Sequence, residues 1–170
     1  LGFDLSRGRF DVSLHPFCGG CANDVRITTR YDESDFKGAL MGLLHEGGHA
    51  LYEQGRPRDF LDQPAGQARG MSLHESQSLL MEKHVGLSPA FLGWLAGVAR
   101  EAFGASGPAW TAENFFRAFA RVERSLIRVD ADEVTYPAHV FVRHALERAM
   151  IRGDLAVADL PGRSEEHTSE

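Results

Sequence analysis

The sequence lacks the features that mark three common classes of protein. No apolar run approaches the roughly 20 residues that span a bilayer, so we expect no transmembrane helix. A net charge of −6 provides no basic excess of the kind that nucleic-acid-binding proteins show. Neither a signal peptide nor an initiator Met is present, which predicts that the chain begins inside a longer protein. The 43% of hydrophobic residues argue against global disorder and suit a packed core.

Cysteine is also scarce, since the chain has only the two thiols of Cys18-Gly-Gly-Cys21. A lone C-x-x-C is compatible with a redox pair or with half of a zinc knuckle. No second Cys pair and no β-α-β pattern accompany it, so we expect two thiols in a glycine-rich loop. Cytosolic thiols are usually reduced, and the expected location is the cytoplasm. Residues 1–23 are predicted to be irregular, apart from a short strand at 11–14.

The most informative stretch is an H-E-x-x-H motif, from His45 to His49. On a helix these two His residues lie one turn apart on the same face, where two imidazoles could bind one metal ion. Glu46 lies beside the first of them and could take a proton from a metal-bound water. The alternative is an ordinary helix with two exposed His residues and a Glu.

Apolar residues flank the motif and predict a helix that Ser34 caps and that runs to about Gln54, with Gly55 as the stop. Gly47 and Gly48 lie inside this helix, where each costs roughly 1 kcal/mol relative to Ala. We therefore expect another part of the protein to approach the helix backbone closely at these glycines.

A catalytic zinc needs a third protein ligand, and Glu75 is the candidate. The stretch from Ser72 to Glu75 resembles a capping box opening a helix to about His84, in which Glu75 would bond its own helix end. Alternatively, its carboxylate reaches the metal across a loop at 55–70. His74 and Gln77 could orient the ligands, although His74 could equally be a surface residue.

Periodicity and capping residues predict the remaining elements. Residues 24–31 alternate as a strand, either an edge strand with solvated arginines or one lining a cleft. Three further helices are expected at 88–104, 111–129 and 135–152. The apolar residues expected in the core on the first two of these are Phe91, Leu92, Trp94, Leu95, Val98, Phe115, Phe116, Phe119, Val122 and Leu126.

Charged residues near the end of the chain allow two interpretations. Arg128 is either a simple ion-pair partner or a guanidinium that Asp130 and Asp132 hold with part of its donor fork free. On the last helix, His139, Arg143 and Glu147 recur every four residues, as an exposed charged face or a cleft wall. Residues 163–170 are polar and aperiodic, resemble translated adapter sequence, and are left out of the fold prediction.

Four stretches together resemble successive signatures of the M32 metallocarboxypeptidases, the carboxypeptidase Taq family. They are 24–31, 45–55, 74–77 and 127–132; His15-Pro-Phe17 and Glu133-Val-Thr-Tyr-Pro137 fit as well. The resemblance covers residues 2–162 and implies a mainly α zincin-type fold with a small β-sheet beside the metal cleft. It identifies 1–162 as the central, catalytic part of one peptidase domain, in a family of longer proteins.

The resemblance further implies that His45, His49 and Glu75 bind one zinc ion, with Co2+ or Mn2+ as substitutes, and that Glu46 is the base. Arg128 would recognise the free C-terminal carboxylate of a peptide substrate. Two further candidates for substrate contacts are His74 and Tyr136, the latter by stabilising the developing oxyanion.

The expected function is therefore a zinc carboxypeptidase, with a peptide as its partner and neither nucleic acid nor membrane. The full-length protein is expected to be a homodimer. The alternatives are a zinc endopeptidase or dipeptidase with the same chemistry, or an inactive metal-binding fragment.

Overall fold

The chain forms two compact units, Leu1–Phe119 and Ala120–Glu170. The computed structural model describes residues 1–128 and 131–163. Helices dominate and one small sheet accompanies them, so the predicted fold class is confirmed. Throughout the described ranges, every helix is too short or too polar to cross a bilayer. The predicted non-native tail, from residue 164 onward, lies outside the described residues.

A three-stranded sheet begins the first unit. Its strands are β1 (Gly8–Val12), β2 (Phe17–Cys21) and β3 (Asp24–Thr29), in the order β1-β3-β2. Strand β3 pairs in parallel with β1 and antiparallel with β2, so it is the central strand and the edge interpretation is wrong.

The prediction of an irregular segment at 1–23 is also wrong. The C-x-x-C stretch is the outer strand β2, in which Cys18 faces Ile27 of β3 across the ladder. Both thiols are free. Strand β1 ends at Val12, two residues before the predicted end. Strand β3 supplies the hydrogen bonds of both outer strands, and their own composition did not predict them.

Helix α1 (Phe36–Gln54) crosses the sheet and carries the H-E-x-x-H motif. Ala50 is fully buried against Val25 and Ile27 of β3. The helix ends at Gly55 as predicted, but the residue that caps its start is Asp35, whose carboxylate accepts from the Gly38 N–H at 3.0 Å. Ser34 does not fill that role because its hydroxyl donates to Asp32.

Helix α2 (Met71–Leu79) continues into one turn of π-helix at Leu80–Val85. It begins after Gly70 without a side-chain cap. The predicted capping box at Ser72 is therefore wrong, because the helix already starts one residue before it.

Helices α3 (Pro89–Phe103) and α4 (Ala112–Phe119) enclose the larger apolar core. Ser88 caps α3 and Gly104 ends it in the left-handed conformation, both as predicted. The buried core is formed by Leu87, Leu92, Leu95, Ala96, Ala99, Phe115 and Phe119, and Phe36 of α1 packs against it. Part of the predicted stripe is wrong, since Trp94, Val98 and Phe116 are exposed.

The helix predicted to run to about Val129 ends at Phe119, where the apolar cluster closes. Val122 and Leu126 are exposed, and Val129 lies outside the described residues. In the second unit, the N–H of Glu123 donates to the Asp132 carboxylate at 2.9 Å rather than to a helical carbonyl.

Helix α5 (Thr135–Arg152) has its predicted bounds, and Gly153 ends it in the left-handed conformation. The Asp132 carboxylate also accepts from the first amides of this helix region, Val134 N at 2.8 Å and Thr135 N at 2.9 Å. No described residue of α5 is buried.

Candidate metal centre

Three side chains of the first unit converge on one point. The ligand atoms of His45, His49 and Glu75 all lie within 4.8 Å of one another. His49 Nε2 is 3.4 Å from Glu75 Oε2, and His45 Nε2 is 3.7 Å from Glu75 Oε1. A tetrahedral zinc with ligands at about 2.1 Å separates them by about 3.4 Å. The two imidazoles and one carboxylate therefore fit a metal ion and leave a fourth position for water or substrate.

Gly48 allows this convergence because it brings the backbones of α1 and α2 together. A Cβ atom at Gly48 would lie 2.4 Å from the Gln77 carbonyl oxygen and 2.6 Å from Ser78 Cα. The expected close approach is thus confirmed at Gly48. At Gly47 the nearest atom is the flexible end of Leu1, at 3.3 Å.

Glu46 is buried next to the metal-ligand candidates, with 9% of its surface exposed. Burial raises the pKa of Glu46, and the neighbouring His45 and His49 oppose that rise. A carboxylate with a raised pKa accepts a proton more readily near neutral pH, which suits a general base.

On the other side of its ring, His45 contacts the π-helical turn. Its Nδ1 is 2.8 Å from Glu82 Oε2, and Glu82 Oε1 lies 2.8 Å from Lys83 Nζ. Burial alone would lower the pKa of His45, but the hydrogen bond and charge of Glu82 outweigh it and raise the pKa. Burial likewise opposes ionisation of Glu82, yet its bonds to His45 and Lys83 lower its pKa.

His49 is also held at the nitrogen that faces away from Glu75, through a second histidine. His49 Nδ1 lies 2.6 Å from His74 Nδ1, and His74 Nε2 lies 2.8 Å from Glu53 Oε1. Arg56 donates to the other oxygen of Glu53 at 2.6 Å. Despite burial, the hydrogen bonds from His74 and Arg56 lower the pKa of Glu53.

Two of these residues, Glu53 and Glu82, were missed in the sequence. Glu53 follows His49 by four residues, so helical spacing could have placed it on the same face. Glu82 follows Glu75 by two turns, so helical spacing could likewise have placed it on the face that carries Glu75. Gln77, a candidate for orienting ligands, donates instead to its neighbour Ser76 at 3.3 Å.

In the second unit, the two predicted substrate residues contact each other. Arg128 Nη1 donates to the Tyr136 hydroxyl at 3.0 Å, and the guanidinium lies 5.7 Å from the centre of that ring. The Asp132 carboxylate, which was expected to hold Arg128, accepts hydrogen bonds from the backbone N–H groups of Glu123, Val134 and Thr135. Asp130 lies outside the described residues.

Comparison with known proteins identifies the family. The family model described as "Carboxypeptidase Taq (M32) metallopeptidase" matches residues 1–170. The chain belongs to this family. The M32 resemblance is thereby confirmed, and the family is one of metal-dependent peptidases. Two curated relatives are thermostable carboxypeptidase 1 of Thermus thermophilus, 48% identical over 161 residues, and carboxypeptidase 1 of Bacillus subtilis, 39% identical over 162 residues.

These matches cover 94% and 95% of this M32 chain but 31% and 32% of the two relatives. The chain therefore spans about a third of the length of the relatives that it matches. Among solved structures, Trypanosoma cruzi metallocarboxypeptidase 1 superposes with a TM-score of 0.93 at 46% identity, covering 98% of this chain and 34% of that one. The M32 carboxypeptidase of Deinococcus radiodurans R1 gives 0.87 at 48% identity, covering 95% and 33%.

Proposed function

We propose that this M32 chain carries the zinc site and general base of a metallocarboxypeptidase that releases C-terminal amino acids from peptides. One observation carries the proposal: His45, His49 and Glu75 converge at the spacing of zinc ligands, with the buried Glu46 carboxylate beside them. The four relatives and structures named above are all carboxypeptidases, which supports the same reaction here.

The residues divide the chemistry between them. When bound, zinc would lower the pKa of a coordinated water to about 7 and polarise the scissile carbonyl. Glu46 takes a proton from the attacking water and passes it to the leaving amine. Burial of Glu46 assists the first transfer, because it narrows the difference in pKa between the carboxylate and the water.

Arg128 is proposed to bind the free carboxylate at the substrate's C-terminus. A guanidinium has five N–H donors in a planar fork that matches a carboxylate, and the bond to Tyr136 uses one of them. The ring of Tyr136 braces the guanidinium and its hydroxyl is a candidate donor to the developing oxyanion. Recognition of the free carboxylate would confine cleavage to the terminal peptide bond.

The substitution Glu46→Gln tests the chemistry. In a complete enzyme that carries this segment, we expect the variant to retain its zinc and to lose about 10²–10⁴-fold in kcat, the usual contribution of a placed acid–base group. Glu101→Gln, an exposed change on α3, is the matched control and should leave both quantities unaltered. Near-normal kcat in a zinc-loaded Glu46→Gln enzyme would refute the assignment.

Peptide substrates with a free or an amidated C-terminus separate the alternatives. A carboxypeptidase should trim the free acid and fail on the amide, whereas a zinc endopeptidase should cleave both. If the 170-residue chain binds zinc stoichiometrically but trims neither peptide, it is a metal-binding segment that does not turn over by itself.

A further inference from the structure

Each histidine of the metal centre is tied, at the nitrogen away from Glu75, to a carboxylate that is itself paired with a cation. For His45 the carboxylate is that of Glu82, which Lys83 neutralises. For His49 the carboxylate is that of Glu53, and His74 lies between the two and contacts both. Arg56 neutralises Glu53. Both arrangements are largely shielded from solvent: the Glu53, Glu82 and His74 side chains are between 15% and 19% exposed.

The chain of hydrogen bonds from His49 through His74 to Glu53 determines which nitrogen of His49 carries a proton. A carboxylate only accepts, so the Nε2–H of His74 donates to Glu53 and leaves Nδ1 of a neutral His74 as an acceptor. His49 Nδ1 must then be the donor in the 2.6 Å contact with His74 Nδ1. In the neutral His49 ring, Nε2 consequently has a free lone pair, and this is the atom that faces Glu75 at 3.4 Å.

The direct hydrogen bond between His45 and Glu82 fixes the proton position of His45 in the same way. Its Nδ1–H donates to Glu82, so Nε2 of the neutral ring keeps its lone pair and faces Glu75 at 3.7 Å. Glu82 lies in the π-helical turn Leu80–Val85, and such turns inside α-helices are frequent at functional sites.

We propose that Glu82, and Glu53 acting through His74, are positioning residues that fix both imidazoles in the Nδ1–H tautomer and in one ring orientation before a metal binds. The proposal rests on the zinc site proposed above and deepens it. It assigns His74 to the support of His49, because hydrogen bonds to His49 and Glu53 occupy both of its ring nitrogens. Lys83 and Arg56 hold the two carboxylates in turn.

Zinc affinity of the 170-residue chain tests the proposal directly. The dissociation constant is measured by competition with a chromogenic chelator at fixed pH, for Glu82→Gln and for His74→Phe. Loss of such outer partners typically weakens metal binding about 10–100-fold, and we expect that range for each variant. The matched controls are Glu101→Gln on α3 and His84→Gln on the π-helical turn, both exposed, which should bind zinc as the parent does.

A second measurement, on the metal-free chain, reports the tautomer itself. Long-range ¹H–¹⁵N correlation spectra at about pH 8, above the ordinary histidine pKa of about 6.5, show which ring nitrogen is protonated. We expect His49 to be an Nδ1–H tautomer in the parent and to lose that preference in His74→Phe. A change of packing alone would not move the proton from one nitrogen to the other.

The outcomes are distinguishable. If the parent chain binds no zinc, the proposed function fails, while the tautomer spectra still decide whether His49 is held as proposed. If the parent binds zinc and both variants bind it equally well with unaltered tautomers, this inference alone is overturned. Should His74→Phe fail to fold, Glu53→Gln, which preserves volume and removes the charge, takes its place in both measurements.

Discussion

The two long helices of the molecule, α1 and α5, have nearly the same length, 19 and 18 residues, and opposite environments. Helix α1 buries its middle, including the glycines and two ionisable side chains of its motif, whereas no described residue of α5 is buried. Both helices carry ionisable groups four residues apart. On α1 these are His45 and His49; on α5 they are Arg143 and Glu147.

The difference shows that helical spacing places two side chains on one face, whereas packing determines whether they form a binding site. On α5 the pair satisfies itself, since Arg143 Nε bonds Glu147 at 2.7 Å in solvent. On α1, residues of α2 and of the π-helical turn supply the hydrogen-bond partners of the two histidines. Burial strengthens each of these hydrogen bonds, because the local dielectric is low. A buried polar group needs specific partners, so burial turns a common spacing into a defined site.

Removing one ligand from α1 should have the largest effect. His49→Ala should weaken zinc binding by more than about 100-fold, because even the loss of outer partners costs about 10–100-fold. His144→Ala, at an exposed histidine of α5, is the control and should not change binding. Chelator competition measures both. Tight zinc binding by the His49 variant would show that the α1 histidines are not ligands.

Arg128 is half-buried and lies in the unit that contains α5, so its substitution tests whether that unit has a chemical role. Hydrogen bonds to charged groups contribute about 1.5–3 kcal/mol. In a complete enzyme, Arg128→Ala should therefore lower kcat/KM on a free-acid peptide by roughly 10- to 150-fold. Zinc content should stay constant. Arg128→Lys should recover little, since an ammonium lacks the planar fork.

Arg143→Ala provides the matched control, as it removes an exposed guanidinium of the same unit. A purely structural Arg128 predicts a different result: a lower melting temperature with kcat/KM per folded molecule nearly intact. A destabilised but fully active Arg128→Ala enzyme would remove this residue from the proposed site.

A substitution at Gly48 tests how much the close packing of α1 against α2 contributes to stability. Gly48→Ala should destabilise the chain by about 1–3 kcal/mol, the usual cost of overpacking, because the new methyl group meets backbone atoms of α2. Gly97→Ala on α3, where a Cβ meets nothing within 4 Å, should instead stabilise by roughly 0.5–1 kcal/mol. Denaturant unfolding compares the two. Equal changes in the free energy of unfolding would mean that the close approach of α2 at Gly48 does not exclude a methyl group.

Local rules predicted the bounds of α1, α3 and α5 closely, because a glycine directly follows the end of each of these helices. Periodicity and the motif were likewise enough to bring His45, His49 and Glu75 into one hypothesis. Two strands were mispredicted: β1 and β2 both depend on pairing with β3, and their own composition carries little signal.

Two further errors concern α4 and Glu82. The extension of α4 beyond Phe119 followed an apolar period that continues in sequence, but the core that would bury it ends at that residue. Tertiary packing there overrode a local pattern. Glu82 shares the helical face of Glu75 by spacing, but the sequence alone does not show that His45 lies opposite it.

The smallest predicted effect concerns the start of α5, where the Asp132 carboxylate accepts from the Val134 and Thr135 amides and where no described helix residue is fully buried. Asp132→Ala should lower the stability of the first turns of α5 by about 1 kcal/mol, as measured by amide hydrogen exchange. Glu133→Ala, an exposed neighbour, is the control. Asp132→Asn should recover part of the loss, because the amide oxygen can still accept while the charge is absent.

The pH dependence of this effect distinguishes a carboxylate cap from a mere change of shape. Desolvation opposes ionisation of Asp132, but hydrogen bonds from the Glu123, Thr135 and Val134 amides outweigh it and lower its pKa from 3.8 to about 2. Because the folded pKa lies below the unfolded one, the stabilisation is complete above about pH 4 and disappears as the pH falls to about 2. The difference in exchange protection between the parent and Asp132→Ala should therefore shrink across that interval. A difference that stays constant down to pH 2 would show that the charge of Asp132 contributes nothing to α5.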